Sequence, residues 1–316
     1  MATVAMNNQI ESVNKQTIIF SIEEHPLVKS LSEALDAELG EIFTRQFPDG
    51  ESYLRIANKV DGRHCIVVCD LAHPNNKYLP LIFLLDTLRE LGAFSIGLVA
   101  PYLSYMRQDR RFVEGEAVTS RIFARALSSH LDWLVTVDPH LHRYHSLDEI
   151  YSLDSRVVQA APALAEWLKT KSKLLLIGPD AESEQWVSGI ASYSGHPFVI
   201  GTKQRKGDRH VEVTLPDISD YESYTAVIID DVISSGQTIL QCISAIKHAG
   251  IKRIQCVAVH GIFADEVDSN LMAAGLESLI TSNTIVHHSN AIDITPLLID
   301  PINSCLNSIV KDGEAL

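Results

Sequence analysis

At 316 residues the chain is long enough for two domains of roughly 150 residues each. It is 46% hydrophobic and 21% charged, which is too apolar for a disordered polymer. Lys and Arg number 26 against 40 Asp and Glu, a formal net charge of -14, which excludes a broad cationic nucleic-acid surface and disfavours anchoring on anionic lipid. In chain order, short continuous apolar runs predict buried strands at TIIFSI, CIVVCD, FSIGLVAPY, WLVTVDPH, KLLLIGPD, PFVIGTK, YTAVIIDDV and RIQCVAVHGIF. Helical periodicity falls between them, at VKSLSEALDAEL, KYLPLIFLLDTLRELG, SRIFARALSSH, RVVQAAPALAEWLKT, AESEQWVSGIASYSG and QTILQCISAIKHAG.

Strands alternating with helices imply parallel sheets with right-handed crossovers. The alternation runs twice, so two α/β domains are expected, residues 1–154 and 155–316, divided near Leu153–Val158. The last segment of the chain is expected to pack back on the first domain. The apolar run Leu79–Leu85 meets Asp86 and Arg89, well short of the roughly 20 residues of a membrane helix. The first residues, MATVAMNNQIESVNKQ, have neither the basic start nor the apolar stretch of a signal peptide. Five cysteines lacking a C-x-x-C spacing, mostly in apolar contexts, read as buried small hydrophobes in a reducing, cytoplasmic setting.

In parallel sheets ligands bind beyond the carboxyl ends of strands. The strongest such signal is TAVIIDDVISSGQTIL, where Asp230 and Asp231 close a buried strand and Ser234, Ser235, Gly236, Gln237 and Thr238 lead into a helix. Small residues let backbone N–H groups approach an anion, and a helix N-terminus adds positive partial charge. Paired carboxylates suit two neighbouring sugar hydroxyls, so a ribose-phosphate site is preferred here over a plain helix cap. Phe47-Pro48-Asp49-Gly50-Glu51 reads as a turn between extended segments. Arg107, Gln108, Asp109 and Arg110 follow the strand FSIGLVAPY, where guanidinium forks suit polyphosphate. Asp138, His140 and His142 share one side of an extended segment, without the cysteines or H-E-x-x-H helix of a zinc site. Asp180 ends the strand LLLIGPD, and GTKQRKGDRHVEV reads as a mobile solvated loop with Lys203, Arg205, Lys206 and Arg209 against Asp208.

Taken in order from Phe47 to Thr238, these six motifs resemble the ribose-phosphate pyrophosphokinase (phosphoribosyl pyrophosphate synthetase) family, over roughly Ile18 to Ile299. The resemblance implies two similar doubly wound parallel-sheet domains of the phosphoribosyltransferase-like type. It implies an enzyme that moves the diphosphoryl group of ATP to ribose 5-phosphate, with Mg2+ as cofactor. By the same carry-over Phe47, Asp49, Glu51, Arg107 and Gln108 bind ATP, with the Phe47–Glu51 turn reaching the ATP of a neighbouring subunit. The implied assembly is a homo-oligomer, a dimer or larger up to a hexamer. His140 and Asp180 would contact the metal, Lys203 and Arg205 would be catalytic, and the segments at Asp230–Asp231 and Ser234–Thr238 would hold ribose 5-phosphate. Asp109 is assigned an indirect, structural part.

The sequence departs from the family pattern at four places. Glu182 and Ser183 stand where many relatives have glycine, Ser234 where many have Asp, and Gln237 where many have Gly. Gln237 lacks the freedom of glycine at positive φ, so a different loop shape is the expectation there. FVEGEAVTS is less basic than the segment in which the commonest class binds phosphate and ADP. Two alternatives remain at this point: a non-catalytic synthetase-associated subunit, and a phosphoribosyltransferase, which would need neither the Phe47 turn nor Arg107-Gln108.

Overall fold

The computed structural model describes residues 16–141, 143–206 and 210–314, with the side chains of 204–206, 210–212 and 310–314 outside the description. His142 and residues 207–209 therefore lie outside it, as does any statement about the side chain of Arg205. The chain divides into two compact units, residues 1–158 with 295–316, and residues 159–294. The helix Thr295–Glu314 counts with the first unit, and the division of the chain falls between Val158 and Gln159.

The first unit contains β1 (Thr17–Ser21), α1 (Pro26–Leu35), β2 (Glu38–Leu39), β3 (Ile42–Gln46), β4 (Ser52–Ile56), β5 (His64–Val68), α2 (Pro74–Glu90), β6 (Ser95–Ala100), α3 (Thr119–Ser128), β7 (Trp133–Val137) and β8 (Asp154–Val158). Six strands form a parallel sheet in the order β2-β1-β5-β6-β7-β8. Strands β5, β6 and β7 are buried along their whole length, as their mainly apolar sequences lead one to expect. Gly97 on β6 stands opposite Trp133 on β7, and any Cβ there would overlap the fully buried indole. Strands β3 and β4 form a separate antiparallel pair, whose Ile42, Leu54 and Ile56 pack on the core.

The second unit contains α4 (Ala161–Lys169), β9 (Leu174–Gly178), α5 (Glu184–Ser194), β10 (Phe198–Ile200), β11 (Thr202–Lys206), β12 (His210–Thr214), β13 (Thr225–Ile233), α6 (Gln237–His248), β14 (Arg253–Gly261), α7 (Val267–Ala273), β15 (Ser278–Ser282) and β16 (Asn290–Ile292). Its sheet is again six parallel strands, in the order β10-β9-β13-β14-β15-β16. The chain builds β10 on one side of β9 and β13 on the other, so the direction of winding reverses between β9 and β13. That reversal opens a crevice at the carboxyl ends of the two strands, where doubly wound sheets bind ligands.

Two expectations need correction here. RVVQAAPALAEWLKT is not helical from Arg156: Asp154–Val158 is strand β8, and the helix begins only at Ala161, with Pro162 in its first turn. Pro fits that position because its missing N–H would have had no partner. The stretch around Lys203 is not a loop either, since Thr202–Lys206 pairs antiparallel with His210–Thr214 and β12 packs along α6. Among the described residues no helix is long and apolar enough to cross a membrane.

Candidate active site

The parallel register aligns Ile177 of β9 with Ile228 of β13, so Asp180 and Asp230 emerge side by side at the switch point. Asp180 is fixed by its own turn: its Oδ1 accepts the backbone N–H groups of Glu182 (3.1 Å) and Ser183 (3.3 Å). The Ser183 hydroxyl donates back to the Asp180 carbonyl oxygen at 2.6 Å. Glu182 and Ser183, where glycines were the family pattern, therefore build a capped turn that aims the carboxylate. The other oxygen, Oδ2, lies 3.3 Å from Lys203 Nζ. An open cavity of about 460 Å³ is lined by Asp180, Ala181, Glu182, Gly201, Thr202 and Lys203. Arg205 occupies β11 opposite Val211 by backbone register.

Strand β13 runs on past both carboxylates to Ile233, farther than the sequence suggests. Asp230 Oδ1 accepts the backbone N–H of Asp231 at 3.0 Å. Burial pushes the Asp230 carboxyl well above the usual carboxylate range, and the negative charges of Asp231 and Asp180 push the same way. Beneath them the Cys242 thiol of α6 is raised to about 12, first by burial and then by Asp230 and Asp180. That thiol is a buried apolar group and not a nucleophile, as are the other four cysteines.

The small-residue loop follows. Its left-handed residue is Gly236 (φ 68°), which precedes the first residue of α6, Gln237. The demand for glycine thus falls on Gly236, and Gln237 occupies an ordinary first helical position. Gly236 is also tightly packed, since a Cβ there would meet Val267 Cγ1 at 2.7 Å. Ser234 is half-buried and Ser235 exposed, at the mouth of a helix whose first N–H groups are free of intrahelical partners.

In the first unit the turn after β3 closes on itself: Phe47 N–H donates to the Glu51 carbonyl oxygen at 2.7 Å, and Glu51 N–H to Asp49 Oδ1 at 3.2 Å. Phe47 remains 39% exposed, with the Arg45 guanidinium 4.8 Å from its ring centroid and from that of Tyr53. Asp49 and Glu51 are exposed beside it. Arg107 is exposed and Gln108 half-buried in the loop after β6, and the Gln108 side-chain oxygen accepts from the Thr119 hydroxyl at 3.2 Å. Asp109 between Gln108 and Arg110 is buried, and both its oxygens accept from Arg143 Nη1, at 2.7 and 2.9 Å. The Tyr144 hydroxyl donates to the Asp109 carbonyl oxygen at 3.0 Å. Asp109 is thus an anchor for the loop that carries Arg107, in keeping with the indirect part expected of it. Arg143 and Tyr144 were given no part by the sequence reading, because their partner lies 34 or 35 residues away. Tyr105, Asp138 and His140 hold left-handed backbone, with φ of 63°, 34° and 53°. Strain of this kind costs on the order of 1–3 kcal/mol per residue and gathers at ligand sites.

A doubly wound parallel sheet with paired acids and a small-residue loop at its switch point defines an α/β protein with a ligand crevice suited to an anion. Residues 17–130 match the family model for the N-terminal domain of ribose phosphate pyrophosphokinase, and residues 146–286 that for the phosphoribosyl transferase domain. The chain is 31% identical over 291 residues to a ribose-phosphate pyrophosphokinase of Methanopyrus kandleri, covering 91% of this chain and 98% of that one. It is 32% identical over 277 residues to ribose-phosphate pyrophosphokinase 2 of Archaeoglobus fulgidus, covering 87% and 96%. The crystal structure of phosphoribosylpyrophosphate synthetase from Mycobacterium smegmatis superposes with a TM-score of 0.79 at 23% identity, over 93% of this chain and all of that one, which establishes the fold. The chain belongs to the ribose-phosphate pyrophosphokinase family.

Proposed function

We propose that the chain transfers the diphosphoryl group of ATP to the anomeric hydroxyl of ribose 5-phosphate, giving phosphoribosyl pyrophosphate and AMP. The observation that carries this reading is the switch point of the second sheet. There the Asp180–Lys203 pair, the acidic Asp230–Asp231 segment and the Ser234–Thr238 loop belong to adjoining strand ends. The loop and the α6 N-terminus receive the 5-phosphate, while Asp230 and Asp231 accept from ribose hydroxyls. Lys203 and Arg205 neutralise charge on the group in transfer. The reaction asks mainly for positioning and charge stabilisation, with little covalent chemistry by the protein.

Phe47, Asp49 and Glu51 are assigned to ATP together with Arg107 and Gln108. An exposed aromatic turn that contributes to ATP held by another copy implies a homo-oligomer of at least two chains. A set of mutually repelling carboxylates at Asp180, Asp230 and Asp231 is the oxygen-donor chemistry that magnesium prefers. Asp180 is the residue of this unit proposed to contact it, His140 of the first unit is assigned to the metal by the resemblance alone, and a bound ion would supply charge neutralisation on phosphate oxygens. Gly236 takes the left-handed position and Gln237 the first turn of α6, so Gln237 does not stand where glycine's freedom is required. The direct test is to incubate the purified chain with magnesium, ATP and ribose 5-phosphate and to follow AMP. AMP formation that requires ribose 5-phosphate is expected, and none above background would overturn the assignment.

A further inference from the structure

The carboxyl edge of the second sheet carries a group of side chains that the proposed reaction leaves unused. Asp268 stands in the first turn of α7, and His287 and His288 lie on the connection between β15 and β16. Asp268 Oδ2 is 3.6 Å from Nε2 of His287 and 3.6 Å from Nε2 of His288. The candidate ligand atoms of all three residues fall within 4.8 Å of one another. A separation of 3.6 Å is too long for a direct N–H···O hydrogen bond. It is close to the spacing of roughly 3.3–3.4 Å between neighbouring ligand atoms around a tetrahedral ion with bonds of about 2.0–2.1 Å.

The surroundings orient the group. His287 stacks on Phe263 with centroids 4.4 Å apart and on His288 at 4.0 Å. Its Nδ1 is 2.7 Å from the Ser289 hydroxyl, which is itself 2.7 Å from the buried Thr281 hydroxyl. Nδ1 also accepts the Ser289 backbone N–H at 3.2 Å in the ion-free geometry. Binding a cation through Nε2 requires the ring proton to sit on Nδ1 and donate to the Ser289 hydroxyl, with the Ser289 backbone N–H turned away from the ring. The side chains of Asp268 and His287 are 20% exposed and that of His288 75%, so one side of the group is open for a water or an added ligand.

We propose that Asp268, His287 and His288 form a binding site for a divalent transition-metal ion of the zinc type. Two imidazoles and one carboxylate suit zinc and its neighbours, whereas magnesium favours oxygen ligands. An ion there ties α7 to the β15–β16 connection. The same stretch of chain supports the phosphate loop, because Ala264 N–H donates to the Ser234 carbonyl oxygen at 3.0 Å and Val267 packs over Gly236. The ion is therefore a clamp behind the ribose-phosphate loop, and the proposal stands whether or not the reaction assigned above is correct.

The test uses the full chain, stripped of metal and then titrated with zinc against a chromophoric chelator in the presence of excess magnesium. The wild type is expected to bind one more zinc equivalent than His288→Ala or Asp268→Asn, or to bind it at least 10-fold more tightly. Zinc is expected to raise the melting temperature of the wild type and to leave that of His288→Ala unchanged. His288 is exposed, so its removal does not threaten the fold, and equal melting temperatures without zinc verify this. Zinc stoichiometry and affinity that are the same in the wild type and both variants overturn the proposal, as does a wild type that takes up no zinc.

Discussion

Lys203→Ala separates a catalytic role for this side chain from a structural one, because the two predict effects of different size. The Lys203–Asp180 pair is 3.3 Å long and its side chains are 29% and 20% exposed. A pair so open to water contributes about 0–1 kcal/mol to folding. Asp180 keeps its backbone hydrogen bonds from Glu182 and Ser183 in the variant, so the turn and the cavity floor survive. The shape of the Ser234–Thr238 loop rests on Gly236, Val267 and the Ala264–Ser234 bond, and these do not involve Lys203. Stability should therefore fall by less than about 1 kcal/mol, a melting shift of roughly 2–4 °C at most for a domain of this size.

Turnover should respond far more strongly. A preorganised charge aimed at the transferred group contributes on the order of 10²–10³ in rate, or about 2.7–4 kcal/mol of transition-state stabilisation. The assay is AMP release at saturating substrates, with ribose 5-phosphate binding followed separately by thermal protection. Loss of turnover with normal protection is the expected result. Turnover within a few-fold of wild type would refute the role, and so would a loss of activity that merely parallels a loss of ribose 5-phosphate binding.

Two further outcomes follow from the same geometry. Burial and the neighbouring Asp231 and Asp180 charges raise the Asp230 carboxyl, so the folded state holds that proton more tightly than the unfolded chain. This contribution is complete below the unfolded value near 4 and is lost as pH rises through the folded value. Asp230→Asn should therefore melt progressively higher than wild type as pH rises from about 4 to 8, while losing ribose 5-phosphate protection. A melting difference that is constant across that range would count against the buried-acid account. Gly97→Ala places a methyl group into the Trp133 indole and should cost about 1–3 kcal/mol, read as a lower melting temperature with substrate affinity preserved. An unchanged melting temperature would show that the indole can move aside.

The sequence displays what is local and hides what is distant. Continuous apolar runs such as CIVVC and KLLLI announce strands buried on both faces, and β5 and β9 lie there. RVVQAAPAL misleads because an amphipathic helical pattern extends backwards through Val157 and Val158, and the β-branched pair with Pro162 was the better signal. TKQRK carries no apolar pattern because its strand pairs with β12 alone, outside the six-stranded sheet. At the site, the sequence marks Asp180 just beyond the end of β9, and it marks Asp230 near the carboxyl end of β13, which runs on to Ile233. It cannot reveal that Asp180 caps its own turn and meets Lys203, 23 residues on. The reach of Arg143 back to Asp109 is equally invisible, since no periodicity links residues 34 apart.

The two sheets share one strand order, so each has a point where the winding reverses, β1/β5 in the first unit and β9/β13 in the second. The first unit pairs the acids at its own switch point with a lysine. Lys77 Nζ lies 2.7 Å from Asp70 and 3.0 Å from Glu23, and His25 Nε2 is 3.9 Å from Asp70. Burial opposes the Lys77 charge, but the Asp70 and Glu23 contacts outweigh it and raise its pKa. At the second switch point Asp180, Asp230 and Asp231 stand near Lys203, and the Asp230 carboxyl is driven upward by burial and by its neighbours. Carboxylates held together at that electrostatic cost persist in a fold when a ligand supplies hydroxyls or a cation to them. One topology thus yields a lysine-paired switch point in the first unit and, in the second, an open cavity at a switch point richer in acids. The first unit's candidate contacts, Arg107 and His140, accordingly follow β6 and β7 instead of its own point of reversal.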